Sequence, residues 1–268
     1  MSAVDRLFEE LRTRGQKAFI PFITAGDPDL DFTSTLLKAL VRQGSHLCEV
    51  GIPYSDPIAD GPVIQESYTR ALSAGVALSD IFEMLRQTTP ELAAPVVTMV
   101  SHAIIYRQGL RKYVETAKQC GVAGLIVPDL PVEESGALQE ICQEEDLSLI
   151  QLVTPNTPRD RALRIVAASS GFIYYVSVVG ITGERKQLPE FLHENVGWLR
   201  EQTDLPICIG FGISSPEQIR LLAPIADGLI VGSAIVRRMA HYGEQSGSTV
   251  LQDVEEYVKT LIEATAGC

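Results

Sequence analysis

The stretch PICIGFGISSPEQIRLLAPIADGLIVGS (206–233) holds two short apolar runs, PICIGF (206–211) and GLIVGS (228–233), on either side of an amphipathic segment. Between them Ser215 is placed to cap a helix, Pro216 suits its first turn, and Ile219 and Leu222 fall on one face. Neither run alternates apolar with polar residues, so each reads as a strand covered on both faces, as parallel strands are. The stretch is one strand–helix–strand unit. Similar runs recur toward the N-terminus: AFIPFIT (18–24), LCEVGI (47–52), PVVTMV (95–100), GLIVPD (124–129), LSLIQLV (147–153) and FIYYVSV (172–178). Helical segments separate them, such as RKYVETAKQCG (111–121), with Tyr113, Val114, Ala117 and Cys120 at helical spacing and Gly121 as a stop. VLQDVEEYVKTLIEATAG (250–267) predicts a closing helix through Leu251, Val254, Tyr257, Val258, Leu261 and Ile262. At the other end, MSAVDRLFEELRTRG spaces Val4, Leu7, Phe8 and Leu11 as a further helix. Eight strand–helix units with no Gly- or Ser-rich linker predict a (β/α)8 TIM barrel with an extra N-terminal helix, one catalytic domain over 1–268.

Composition narrows the partners. The chain has 268 residues, 46% of them hydrophobic, enough for one sizeable core, and a formal net charge of -12 that matches neither nucleic acid nor anionic lipid. No apolar run approaches the roughly 20 residues that cross a bilayer, and the N-terminal helix lacks the apolar core and cleavage site of a signal peptide. The expected location is the cytoplasm. The five cysteines, Cys48, Cys120, Cys142, Cys208 and Cys268, form no C-x-x-C pair, and the four histidines are dispersed, so no metal site is expected.

Barrel enzymes carry their sites at the C-terminal ends of the strands. The last two strands end in GFGIS (210–214) and GSAIV (232–236), each leading into a helix. Glycine lets a backbone approach a ligand closely, and exposed amides there suit an anion, so the pair predicts a phosphate cradle. Strand two ends in EVGIPYSDPIADGP (49–62), which sets Glu49 inside an apolar run and Asp56 and Asp60 among prolines that disfavour a regular helix. A carboxyl at Glu49 is either desolvated and tuned for proton transfer or paired with an Arg or Lys elsewhere. Asp56 and Asp60 are either turn residues or, for one of them, the second member of a carboxylate pair. Asp129 in VPDLP reads as structural or substrate-positioning. No Lys lies near the end of a strand, which disfavours Schiff-base chemistry and leaves general acid-base catalysis. The polar stretch VVGITGERKQLPE (178–190) reads as a lid with Thr182 toward the ligand.

These motifs resemble the tryptophan synthase alpha subunit family. PFITAGDP (21–28), EVGIPYSDPIADGPVIQ (49–65), PDLPVEES (128–135), YYVS (174–177), GITG (180–183), GFGISSPEQ (210–218) and GLIVGSAIV (228–236) carry the likeness over nearly the whole chain. The resemblance implies a lyase of tryptophan biosynthesis that cleaves indole-3-glycerol phosphate to indole and glyceraldehyde 3-phosphate. It implies Glu49 as the general acid-base group and Asp60 as the acceptor of the indole N–H. Phosphate would rest on amides near Gly183, Gly212, Gly232 and Ser233. Phe22, Val100, Ile126 and Phe211 would line the indole pocket, with Tyr174 near Glu49 and Thr182 on the substrate. The family often carries Tyr and Asn after strand three, where this chain reads SHAII (101–105), with His102 and Ile104. The implied partner is a pyridoxal-phosphate-dependent beta subunit in an alpha2-beta2 heterotetramer, with no cofactor in this chain. Another phosphate-binding barrel enzyme, such as a sugar-phosphate isomerase, and a non-catalytic subunit are the competing readings.

Overall fold

A computed structural model describes residues 1–57, 60–177 and 190–266. Eight parallel strands close into a barrel in chain order: β1 (Ala18–Thr24), β2 (Cys48–Gly51), β3 (Val96–Met99), β4 (Val122–Ile126), β5 (Ser148–Val153), β6 (Ile173–Val176), β7 (Ile207–Gly210) and β8 (Gly228–Val231), with β8 paired back to β1. Nearly every strand residue is buried, as the unbroken apolar runs require when side chains fill the barrel and helices cover its outside. The (β/α)8 expectation holds. β4 begins two residues before the predicted run, at Val122, because Ala123 and Gly124 supply little apolar bulk to announce a strand.

The extra N-terminal helix, Ala3–Arg14, starts on a capping box between Ser2 and Asp5 and stops at Gly15 in the left-handed conformation (φ 63°). Its buried residues Val4, Phe8 and Leu11 seal the barrel's N-terminal end. Phe8 packs on Phe172 just before β6 (ring centroids 5.7 Å apart), and the Ser2 and Ser148 hydroxyls meet at 2.7 Å at the start of β5. The opposite end is left for the site.

Among the described residues, three connections carry two α-helices each. After β2 the chain forms Pro62–Ser73 and Leu78–Thr88. Pro62, expected to obstruct a helix, instead begins one, because the first helical position has no N–H bond to lose. After β3 come His102–Gln108 and Leu110–Gln119, and after β8 come Ser233–Met239 and Gly247–Ala266. The predicted cap on Pro216–Leu222 is present as a capping box of Ser215 with Gln218.

Candidate active site

Glu49 stands at the second residue of β2, in register with Phe22 of β1 and Val97 of β3. Residues in register on adjacent parallel strands share a face, so Phe22 and Glu49 project together into a cavity of about 340 Å³ at the strand ends. Tyr174 of β6, Ile230 of β8, Phe211 and Met99 complete its apolar wall. Asp60, in the turn before the Pro62–Ser73 helix, enters from the side, while Gly212, Gly232 and Ser233 form the far end. A second cavity of about 410 Å³, between the ends of β4, β5 and β6, adjoins the first through Asp60, Met99 and Phe211.

Two glycines make room for the aromatic wall. A Cβ on Gly51 would lie 2.5 Å from Phe22 Cζ and 2.7 Å from Tyr68 Oη. A Cβ on Gly210 would lie 2.6 Å from Tyr174 Oη. The turn after β7 passes through two consecutive left-handed residues, Phe211 (φ 74°) and Gly212 (φ 79°), of which only the second is glycine. A phenylalanine held at positive φ is strained, and strain of this kind gathers where surroundings fix a site. The Ser177 hydroxyl holds the turn by donating toward Gly210 O (2.8 Å) and Phe211 O (2.9 Å), and the Phe211 ring meets Tyr174 edge-on at 6.0 Å.

The Glu49 carboxyl is fully buried and neither oxygen has a hydrogen-bond partner among the described residues. Among the described residues no Arg or Lys pairs with it. Burial, reinforced by the charge of Asp60, pushes its pKa up to about 8. Burial alone raises Asp60 to about 6. Near neutral pH the first is mainly protonated and the second mainly ionised, so one cavity presents a proton donor and a carboxylate acceptor. The Tyr174 hydroxyl is kept neutral, its pKa raised by burial and by Glu49 and Asp60.

Eight of the sequence-predicted site residues line this cavity: Phe22, Glu49, Asp60, Tyr174, Phe211, Gly212, Gly232 and Ser233. Val100 does not. Met99 takes its place, because Met99 lies in register with Gly51 and shares the inward parity of Val97, while Val100 falls on the opposite parity and donates its N–H to Ile126 O. Ile126 lies beside Met99 but is fully buried and lines neither cavity; Val127 reaches the second one. Thr182, Gly183 and most of the predicted lid lie outside the described residues.

Asp56 lines neither cavity and accepts from the Ser55 hydroxyl at 2.6 Å. Asp129 accepts from the Ser101 hydroxyl (2.7 Å) and the His102 N–H (2.8 Å), so it anchors the start of the His102–Gln108 helix. Neither His102 nor Ile104 lines either cavity. Sequence reading missed Arg237, which lines the cavity that holds Glu49; its place four positions after Ser233 on one helix was the available signal. Among the described residues no cluster of three His, Cys, Asp or Glu side chains is arranged to hold a metal, and no helix is long and apolar enough to cross a membrane.

The sequence model described as Tryptophan synthase alpha chain matches residues 8–266. A tryptophan synthase alpha chain of Rhodopirellula baltica is 58% identical over 252 residues, covering 93% of this chain and 91% of the relative. The crystal structure of tryptophan synthase subunit alpha from Legionella pneumophila superposes with a TM-score of 0.91 at 32% identity, covering 100% of both chains. Tryptophan synthase of M. tuberculosis in an aminoacrylate-bound form superposes with a TM-score of 0.87 at 29% identity, over 99% of this chain and 100% of that one. A barrel with this pair of carboxylates, matched over its length by these relatives, belongs to the tryptophan synthase alpha chain family.

Proposed function

We propose that this chain cleaves indole-3-glycerol phosphate to indole and glyceraldehyde 3-phosphate, with Glu49 and Asp60 as its catalytic residues. The observation that carries the reading is one cavity lined both by a buried carboxyl at about 8, without a partner among the described residues, and by a second at about 6. Protonated Glu49 delivers its proton to C3 of the indole ring. As C3 becomes tetrahedral, positive charge develops on the ring nitrogen, and ionised Asp60 accepts that N–H and stabilises the charge. Glu49, now ionised, removes the proton of the hydroxyl on the adjacent glyceryl carbon. The oxygen forms the aldehyde, the carbon–carbon bond breaks, and its electron pair returns to the ring as neutral indole. The proton that Glu49 gave to C3 stays in the indole and is replaced on Glu49 by the one taken from the hydroxyl, so the cycle closes without a redox change.

On this reading the phosphate rests at Gly212, Gly232 and Ser233, whose amides approach it without side-chain obstruction, and Arg237 adds a nearby positive charge. The ring lies where the two cavities meet, against Phe22, Met99, Tyr174 and Phe211 with Asp60 beside it. The family likeness adds Thr182 and Gly183 to the substrate contacts. The chain works in the cytoplasm with no cofactor of its own. Its partner is a beta subunit that carries pyridoxal phosphate and receives the indole in an alpha2-beta2 assembly; a structural neighbour described as tryptophan synthase supports that pairing.

The test is indole release from indole-3-glycerol phosphate, with and without a beta subunit, for the natural chain and Glu49→Gln. The expected result is release by the natural chain, raised by the partner, and a loss of at least a thousandfold in the variant, which keeps shape and loses the proton. Turnover retained by Glu49→Gln removes Glu49 from the mechanism. Isomerisation of a sugar phosphate without indole release replaces the reading.

A further inference from the structure

Asp60 differs from Glu49 in lying on a turn, and a catalytic carboxylate must be held to within about 0.5 Å of its working position. The restraint comes from Gln65. Its side-chain amide donates to Asp60 O at 2.7 Å and to Pro57 O at 3.2 Å, while the Asp60 N–H also donates to Pro57 O at 3.2 Å. Both partners of the amide are carbonyl oxygens, so only its NH2 end can face them, and its two N–H groups are spent on the two ends of one turn. Gln65 is itself fixed to the barrel. The helix that carries it, Pro62–Ser73, is joined to the end of β1 by the Thr24 and Ser67 hydroxyls at 2.6 Å. The same helix is held by Arg70, whose guanidinium donates to both oxygens of buried Asp27 at 2.9 and 2.6 Å. The chain of contacts runs from β1 through the helix to Gln65 and from Gln65 to the backbone of Asp60.

We infer that Gln65 is a positioning residue for Asp60, locking the turn so that the carboxylate meets the ring nitrogen of the substrate. The inference rests on the function proposed above. Gln65 lines neither cavity, so its effect on the site passes through the backbone of Pro57 and Asp60. That makes a quantitative requirement: its removal matters only while Asp60 can accept the ring N–H.

A double-mutant cycle tests this. The ligand is an indole-3-alkyl phosphate that keeps the ring N–H and the phosphate but lacks the cleavable hydroxyl, titrated calorimetrically into the natural chain, Gln65→Met, Asp60→Ala and the double variant. Gln65→Met is expected to weaken binding about tenfold with Asp60 present and less than about twofold in the Asp60→Ala background, where position 60 has no acceptor for the ring N–H. Affinity for glycerol 3-phosphate, which has no ring, stays unchanged. Equal weakening in both backgrounds, or none in either, overturns the inference. If Gln65→Met does not fold, Gln65→Glu serves, since it keeps the size and places a carboxylate against two carbonyls. A natural chain that neither binds the analogue nor releases indole refutes the proposed function and this inference with it, whereas an active natural chain without coupling refutes only the role of Gln65.

Discussion

Glu49 and Asp60 line one cavity, yet burial and the charge of Asp60 hold the first at about 8, while burial holds the second at about 6. The order matters more than either value. Were Glu49 the more acidic, the cavity would hold an anion where the proposed mechanism protonates C3 and a neutral acid where it accepts the ring N–H. The difference has a local cause: Glu49 is on a strand, within the packed barrel, and Asp60 is on a turn at its rim.

The rate profile follows from that order. kcat/KM for indole release is expected to be bell-shaped, rising as Asp60 ionises near 6 and falling as Glu49 ionises near 8, because both limbs report the free enzyme. The two groups interact, so the limbs belong to the pair. The phosphate of the substrate also ionises near about 6, which makes the alkaline limb the diagnostic one. A kcat/KM that stays flat to pH 10 contradicts Glu49 as the proton donor.

Stability carries the same signature with the opposite consequence. Glu49 has a folded pKa raised from its ordinary 4.5 to about 8, so between those values the native chain binds a proton that the unfolded chain has released. The contribution is fully present below about 4.5 and is lost as pH rises through about 8. Glu49→Gln removes the titration. The variant is expected to match the natural chain near pH 5 and to exceed it by on the order of a few kcal/mol near pH 9, read from urea unfolding at both pH values. A difference between variant and natural chain that does not change with pH denies the raised pKa.

Much of this site was legible from sequence. AFIPFIT gave β1 to the residue, and the glycine turns after the last two strands could be placed because strand number and strand ends followed from apolar runs. What could not be read was which way a side chain points where a run ends. Val100 and Met99 are both apolar neighbours at the end of β3, and a step of one residue exchanges barrel interior for exterior. Register with Gly51 and Val97 relative to Glu49 decides between them, and register belongs to the closed sheet. The same holds for Glu49: that no described side chain bonds its carboxyl follows from how the other strands and their ends close around it. Asp129 anchors a helix through Ser101 and His102, residues from the preceding connection that nothing in VPDLP announces.

Gly210 shows how closely the site depends on an absent side chain. Its backbone is not left-handed, so alanine there meets no torsional penalty; the cost is steric. The new methyl group would lie 2.6 Å from Tyr174 Oη and 2.7 Å from Tyr174 Cε1, far inside any contact a Cβ makes. Tyr174 is buried and lines the cavity beside Glu49 and Phe211, so the ring can yield only by moving into the space reserved for substrate. Gly210→Ala is expected to cost about 1–3 kcal/mol in unfolding free energy and to raise KM for indole-3-glycerol phosphate more than tenfold. Adding Tyr174→Phe removes the nearest atom but leaves the ring carbon at 2.7 Å, so the double variant should recover part of the loss and not all of it. Steady-state kinetics of the single and double variants decide it: an unchanged KM in Gly210→Ala would mean that the ring shifts away from the cavity, and that the Tyr174 wall does not hold the indole.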